Sequence, residues 1–214
     1  MLRTKNLPIT LIYILYCFSL AFYFGLSTQF EKTWGLWGVA IGQGVIFALI
    51  PFLFVKLFST TSLRYVFPLT KPRYQDLLLV ILLSALVIVL ANFVLNLQNQ
   101  YWPLPKPEVQ YYQNLIRHKN WFVLSKKLLL LAFVPAFCEE IFFRGLIQFS
   151  LAKRFSNMVT IGLSGLLFAI AHFDIYYFGY FLLLGIFFAY LRHYYRSVTH
   201  PMLAHLLNNL YSLI

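Results

Sequence analysis

The chain has 214 residues, of which 61% are hydrophobic, 20% aromatic and only 11% charged. Soluble domains run near half apolar and about a quarter charged, so this composition excludes an ordinary soluble enzyme and points to a polytopic membrane protein. The net charge of +11 comes from lysines and arginines in short segments between apolar runs, a placement that suits membrane orientation and argues against nucleic acid as a partner.

The first apolar run, about residues 8–26, follows the basic lead "MLRTKN". No small-x-small cleavage site follows it and further apolar runs do, so it reads as a retained helix rather than a removed leader. A helix needs about 20 apolar residues to cross the roughly 30 Å hydrocarbon core. Further candidates lie at about 35–57, 76–96, 128–149, 157–173, 178–192 and 200–214, making seven in all. The last is short and spans only about 22 Å at ~1.5 Å per residue. The expected fold is therefore all-α, a polytopic transmembrane bundle of about seven spans. With the N-terminus in the cytoplasm, ten lysines and arginines fall on inner segments and six on outer ones, the expected bias. Trp34, Trp37, Trp102 and Trp121 then all lie at the outer interface, as an aromatic belt would. The longest connection, 97–125, is extended at Pro103, Pro105 and Pro107. A short surface helix over 108–118 follows, either a solvated loop or a lid. Residues 1–125 form an N-terminal region of three spans and this outer loop; residues 126–214 carry the chemistry.

Six acidic residues occur in the chain, and only Glu139 and Glu140 fall inside a span, in "LAFVPAFCEEIFFRGLIQFS". A charge at the bilayer centre costs about 2.5–3.5 kcal/mol or more, so two of them need a reason. Glu140 and Arg144 are four apart, share a helix face and can pair. Glu139 points about 100° away and is not neutralised by Arg144. A carboxylate left unpaired in an apolar site can act as a general base or acid near neutral pH. The bland alternative is one inert polar knot of all three. Pro135, four residues before Glu139, removes a helix hydrogen bond and kinks the span just upstream.

The next span ends "GLLFAIAHFDIYY", with His172 one turn after Phe168. The last reads "HPMLAHLLNNLYSLI": His205 and Asn209 share a face, and Asn208 lies about 100° away. Asn209 can donate to a developing oxyanion; interhelical hydrogen bonding is the alternative use. His118, His193 and His200 read as inert. Cys17 and Cys138 give no disulfide framework, and nothing cationic beside Cys138 activates its thiol.

Three motifs line up in this order: Glu139, Glu140 and Arg144 as E-E-x-x-x-R, Phe168 and His172 as F-x-x-x-H, and His205 and Asn209 as H-x-x-x-N. Over roughly 126–214 the chain resembles the CAAX protease and bacteriocin-processing family of intramembrane proteases. The resemblance implies a multi-pass cell-membrane endopeptidase acting on a membrane-associated protein or peptide. It implies that Glu139 activates a water, that His172 assists, and that His205 and Asn209 stabilise the oxyanion. Glu140, Arg144 and Phe168 would support the site. It implies no cofactor. The alternative is a zinc enzyme with Glu139, His172 and His205 as ligands, though no compact zinc motif such as H-E-x-x-H is present. A second alternative is a non-catalytic bacteriocin self-immunity protein. With straight spans His172 and His205 would lie over ~10 Å apart in depth. Their meeting at Glu139 requires a helix that is tilted, broken or entered late, and a conical, water-accessible cavity inside the membrane.

Overall fold

A computed structural model describes residues 8–117 and 120–213. Arg3, Lys5, His118 and Lys119 lie outside the described residues. Among those described there are helices and no strand. They are α1 Ile9–Trp34, α2 Leu36–Phe58, the short turn α3 Leu63–Val66, α4 Tyr74–Tyr101, α5 Lys106–Ile116, α6 Trp121–Leu151, α7 Asn157–Ala171, α8 Phe178–Tyr195 and α9 Thr199–Leu213. Each expected apolar run falls on one helix. Three of these, α2, α4 and α6, are long and apolar enough to cross a membrane; Thr10–Gly25 and α7 are shorter apolar helices. The outward-facing side chains of α4 include Leu78, Leu82, Leu86, Val89 and Phe93, as a surface bathed in hydrocarbon requires. The chain is a helical membrane protein.

Several boundaries move outward from the sequence expectation. The first helix runs two turns beyond 26, to Trp34. The connection expected over 97–125 shrinks at both ends, because α4 continues to Tyr101 and α6 starts at Trp121. Asn120 caps α6, its side chain accepting from the Val123 amide at 2.9 Å. Lys127, expected in an outer loop, is a buried helical residue whose Nζ donates to the Arg117 carbonyl at 2.5 Å.

Proline shapes the two helices that build the site. A proline ring clashes with the carbonyl four residues earlier. Pro51 in α2 and Pro135 in α6 are each preceded by a π-helical stretch, Gly44–Leu49 and Leu128–Phe133. The wider turn clears the ring without breaking the helix. So Pro135 loosens the winding of α6 rather than ending it. A third π stretch, Ile141–Ile147, follows the glutamate pair directly, and every residue of it is buried.

Helix α6 packs against α2, α7, α8 and α9. Its grip on α8 is polar: Arg144 donates to the Gly185 carbonyl at 3.0 Å and Gln148 to the Ala189 carbonyl at 2.8 Å. One turn on α6 matches one turn on α8, and the small residues at 185 and 189 leave those carbonyls open to a neighbour. The helices α7 and α8 close on each other through Gly165 and Gly185. A Cβ at Gly165 would lie 2.7 Å from the Ile186 backbone nitrogen, and one at Gly185 would lie 2.7 Å from the Gly165 carbonyl oxygen. Small residues permit such backbone approach in membrane bundles. Gly165→Ala should therefore push α7 and α8 apart and cost about 1–3 kcal/mol, read as a lower denaturation midpoint of the purified protein. A wild-type midpoint would show that the two helices separate freely.

Candidate active site

The glutamates part company as helical spacing predicts. Glu140 is fully buried and its Oε1 accepts from Arg144 Nη1 at 2.9 Å. The same oxygen takes the His205 Nδ1 at 2.9 Å. The guanidinium of Arg144, also fully buried, lies 4.4 Å over the Phe168 ring. It is thus held by a carboxylate, the Gly185 carbonyl and an aromatic face, the partners a buried cation needs. Phe168, the first residue of the F-x-x-x-H pair, serves as the floor under Arg144.

Glu139 makes none of these bonds. Its Oε1 accepts from Gln43 Nε2 at 3.1 Å, and its Oε2 is buried without a partner. It lines a cavity of about 160 Å³. From α1 and α2 come Tyr23, Phe24, Gln43 and Phe47; from α6 and α7 come Glu139, Phe143, Ala171 and His172. Glu139 and His172 therefore face one space, walled on the other side by the N-terminal helices.

His172 is oriented by its own backbone. Its Nδ1 lies 2.8 Å from the Phe168 carbonyl. A carbonyl only accepts, so Nδ1 carries the hydrogen and Nε2 carries the lone pair. The ring stacks on Phe181 at 3.8 Å. His205 is fixed in the same way from the other side: Nδ1 faces Glu140, and the ring stacks on Phe188 at 4.9 Å.

The depth conflict between His172 and His205 disappears in three dimensions. Both rings pack against Phe168, at 4.7 Å and 5.7 Å. The reason is the α8–α9 turn. Ser197 and Val198 are fully buried, and the Val198 amide donates to the Pro68 carbonyl at 2.8 Å. Helix α9 thus starts inside the protein and carries His205 to the level of the glutamates. Straight spans would keep the two rings apart in depth, and this buried turn is where α9 departs from one.

Asn209 is half-buried. Its amide donates to the Ala132 carbonyl on α6, and its Oδ1 accepts from Asn208, both at 3.4 Å. Neither His205 nor Asn209 lines the cavity of Glu139. Asn208, set aside in the sequence, is the more buried of the two and accepts from the Tyr180 hydroxyl at 2.7 Å. Among the described residues no three His, Cys, Asp or Glu side chains form a group that could hold a metal ion. His193 is exposed; His200 is buried against Tyr195, ring on ring at 3.9 Å.

Two residues of this architecture escaped sequence reasoning. Gln148 was visible as the third member of a stripe with Glu140 and Arg144, each four residues apart. Gln43 was visible as the sole polar side chain between Gly38 and Val55, and a polar group in a span is costly without a partner.

No curated protein and no solved structure matches the chain. A family model does, over residues 120–211, and it is described as type II CAAX prenyl endopeptidase Rce1-like. That stretch begins at the start of α6 and ends within α9, so it contains all three motifs. Over this stretch, which is under half of the chain, the protein is similar to the CAAX protease family.

Proposed function

We propose that this protein is an intramembrane endopeptidase in which Glu139 activates a water against a peptide bond. The observation that supports the reading is the division of labour between neighbours: Glu140 pairs through Oε1 with both Arg144 and His205, while Glu139 pairs with neither and lines the cavity shared with His172. In this scheme the water oxygen attacks the carbonyl carbon as its proton passes to Glu139. The tetrahedral oxyanion forms, the C–N bond breaks, and Glu139 returns the proton to the leaving nitrogen. His172 accepts a hydrogen bond from the water through Nε2. His205 and Asn209 lie outside the Glu139 cavity, so they serve as oxyanion donors for a substrate that reaches from that cavity to α9: His205, held at Nδ1 by Glu140, through Nε2 as an imidazolium, and Asn209 through its amide. None of these steps calls on a metal. The substrate is a membrane-associated protein or peptide segment, and the protein sits in the cell membrane with its N-terminus in the cytoplasm.

The test compares membrane-peptide termini in cells carrying wild type and Glu139→Gln at matched protein levels. Termini that vanish in the variant are the expected outcome, and they name the substrate. Identical termini, with resistance to a bacteriocin retained, would leave the non-catalytic immunity reading in its place.

A further inference from the structure

The cavity's far wall comes from the N-terminal helices, outside the stretch matched by the peptidase family. Its polar contribution is Gln43, 6% exposed, immediately before the π stretch Gly44–Leu49 of α2. A carboxylate accepts and never donates, so the amide nitrogen of Gln43 is the atom that faces Glu139. That nitrogen spends one hydrogen on Glu139 Oε1 and the other on the Tyr23 hydroxyl, both at 3.1 Å. The amide is thereby fixed at two points, and it fixes the carboxylate in turn.

We infer that Gln43 is a positioning residue for Glu139: it holds one carboxylate oxygen so that the other, Oε2, remains the free base. This rests on the peptidase reading of Glu139. Two observations converge on it. Glu139 Oε2 and Gln43 Oε1 are both buried acceptors with no partner. With Oε1 held by Gln43, Oε2 is the carboxylate oxygen left to take a proton from a water. And the contact joins residues 96 apart in the chain, through a helix whose π stretch and Pro51 have no part in the three motifs. Ordering a carboxylate before the reaction removes a rotational cost from the transition state. A charge-assisted bond of this kind shifts a rate by about tenfold to a hundredfold when lost.

The first measurement needs no substrate. The chain has only six acidic residues, so the infrared carboxyl band of Glu139 can be isolated as wild type minus Glu139→Gln, on the full protein in lipid nanodiscs. Gln43→Met keeps the length of the side chain and removes the donor; the Glu139 band should shift. Gln43→Leu serves as the second variant should the methionine one fail to fold. An unshifted band in a folded variant overturns the inference. The second measurement is the rate at which Glu139-dependent termini appear in membranes. It should fall about tenfold to a hundredfold in either variant at matched folded protein, and a wild-type rate overturns the inference. If Glu139→Gln itself leaves every terminus in place, the peptidase reading fails, and the infrared band alone still decides whether Gln43 holds Glu139.

Discussion

Glu139→Gln should lower the turnover of peptide cleavage by about a thousandfold, within the range that a positioned general base contributes, and leave the protein folded. The two halves of this expectation have separate causes. A glutamine at 139 has nearly the volume of glutamate and still offers a carbonyl oxygen to Gln43 Nε2, so the bond at 3.1 Å has a replacement acceptor. The amide has no basic oxygen, so the water loses the group that takes its proton. The neighbouring Glu140→Gln separates base from scaffold. Glu140 reaches the chemistry only through Arg144 and His205, so its change should cost stability as well as rate. Both variants are compared by cleavage rate and by denaturation midpoint in the same detergent. Equal loss of rate without loss of stability in both would mean that Glu140 is a second base, contrary to its pairing with Arg144 and His205. An undiminished rate in Glu139→Gln would remove the glutamate from the mechanism altogether.

Arg144→Met should be the most destabilising single change in the bundle, on the order of 3–5 kcal/mol. It leaves the carboxylate of Glu140 fully buried with only His205 beside it. It also removes the 3.0 Å bond to Gly185 and the contact with the Phe168 face. The double variant Glu140→Gln with Arg144→Met should recover part of this loss, because no charge is then stranded. Removing one partner of a buried pair costs far more than removing both. A denaturant titration of the four proteins gives the coupling directly, as a double-mutant cycle. Additive losses would mean that the pair is not what holds α6 to α8, and that Gln148 on Ala189 carries the contact alone. The cleavage rate of the double variant carries a second expectation: with Nδ1 of His205 released from a charged partner, it should stay low even where stability returns.

The π stretches connect these two expectations. Between Glu140 and Arg144 the helix is already unwinding into Ile141–Ile147, yet Nη1 still reaches Oε1 at 2.9 Å. A long, forked side chain tolerates the change in rotation per residue. Extra residues in a turn redirect the side chains beyond it, which is why such turns recur at functional sites.

Much of the site was legible in the chain alone, wherever the relevant distance is one or two helical turns. The pairing of Glu140 with Arg144, the separation of Glu139 from both, and the all-helical character of the described residues follow from spacing and hydropathy. Helix geometry converts those intervals into directions without reference to the rest of the molecule. The motif order also sufficed to point to the peptidase family that residues 120–211 match.

Only the tertiary structure decided which helix faces meet. Gln43 reaches Glu139 across 96 residues, and His205 reaches Glu140 across 65. His172 and His205 share the Phe168 ring because a buried turn at Ser197 and Val198, bonded to Pro68, lets α9 begin inside the bundle. Apolar composition cannot encode such a turn: in hydrocarbon almost every face of these helices is equally apolar, and close packing together with a few buried hydrogen bonds selects among them.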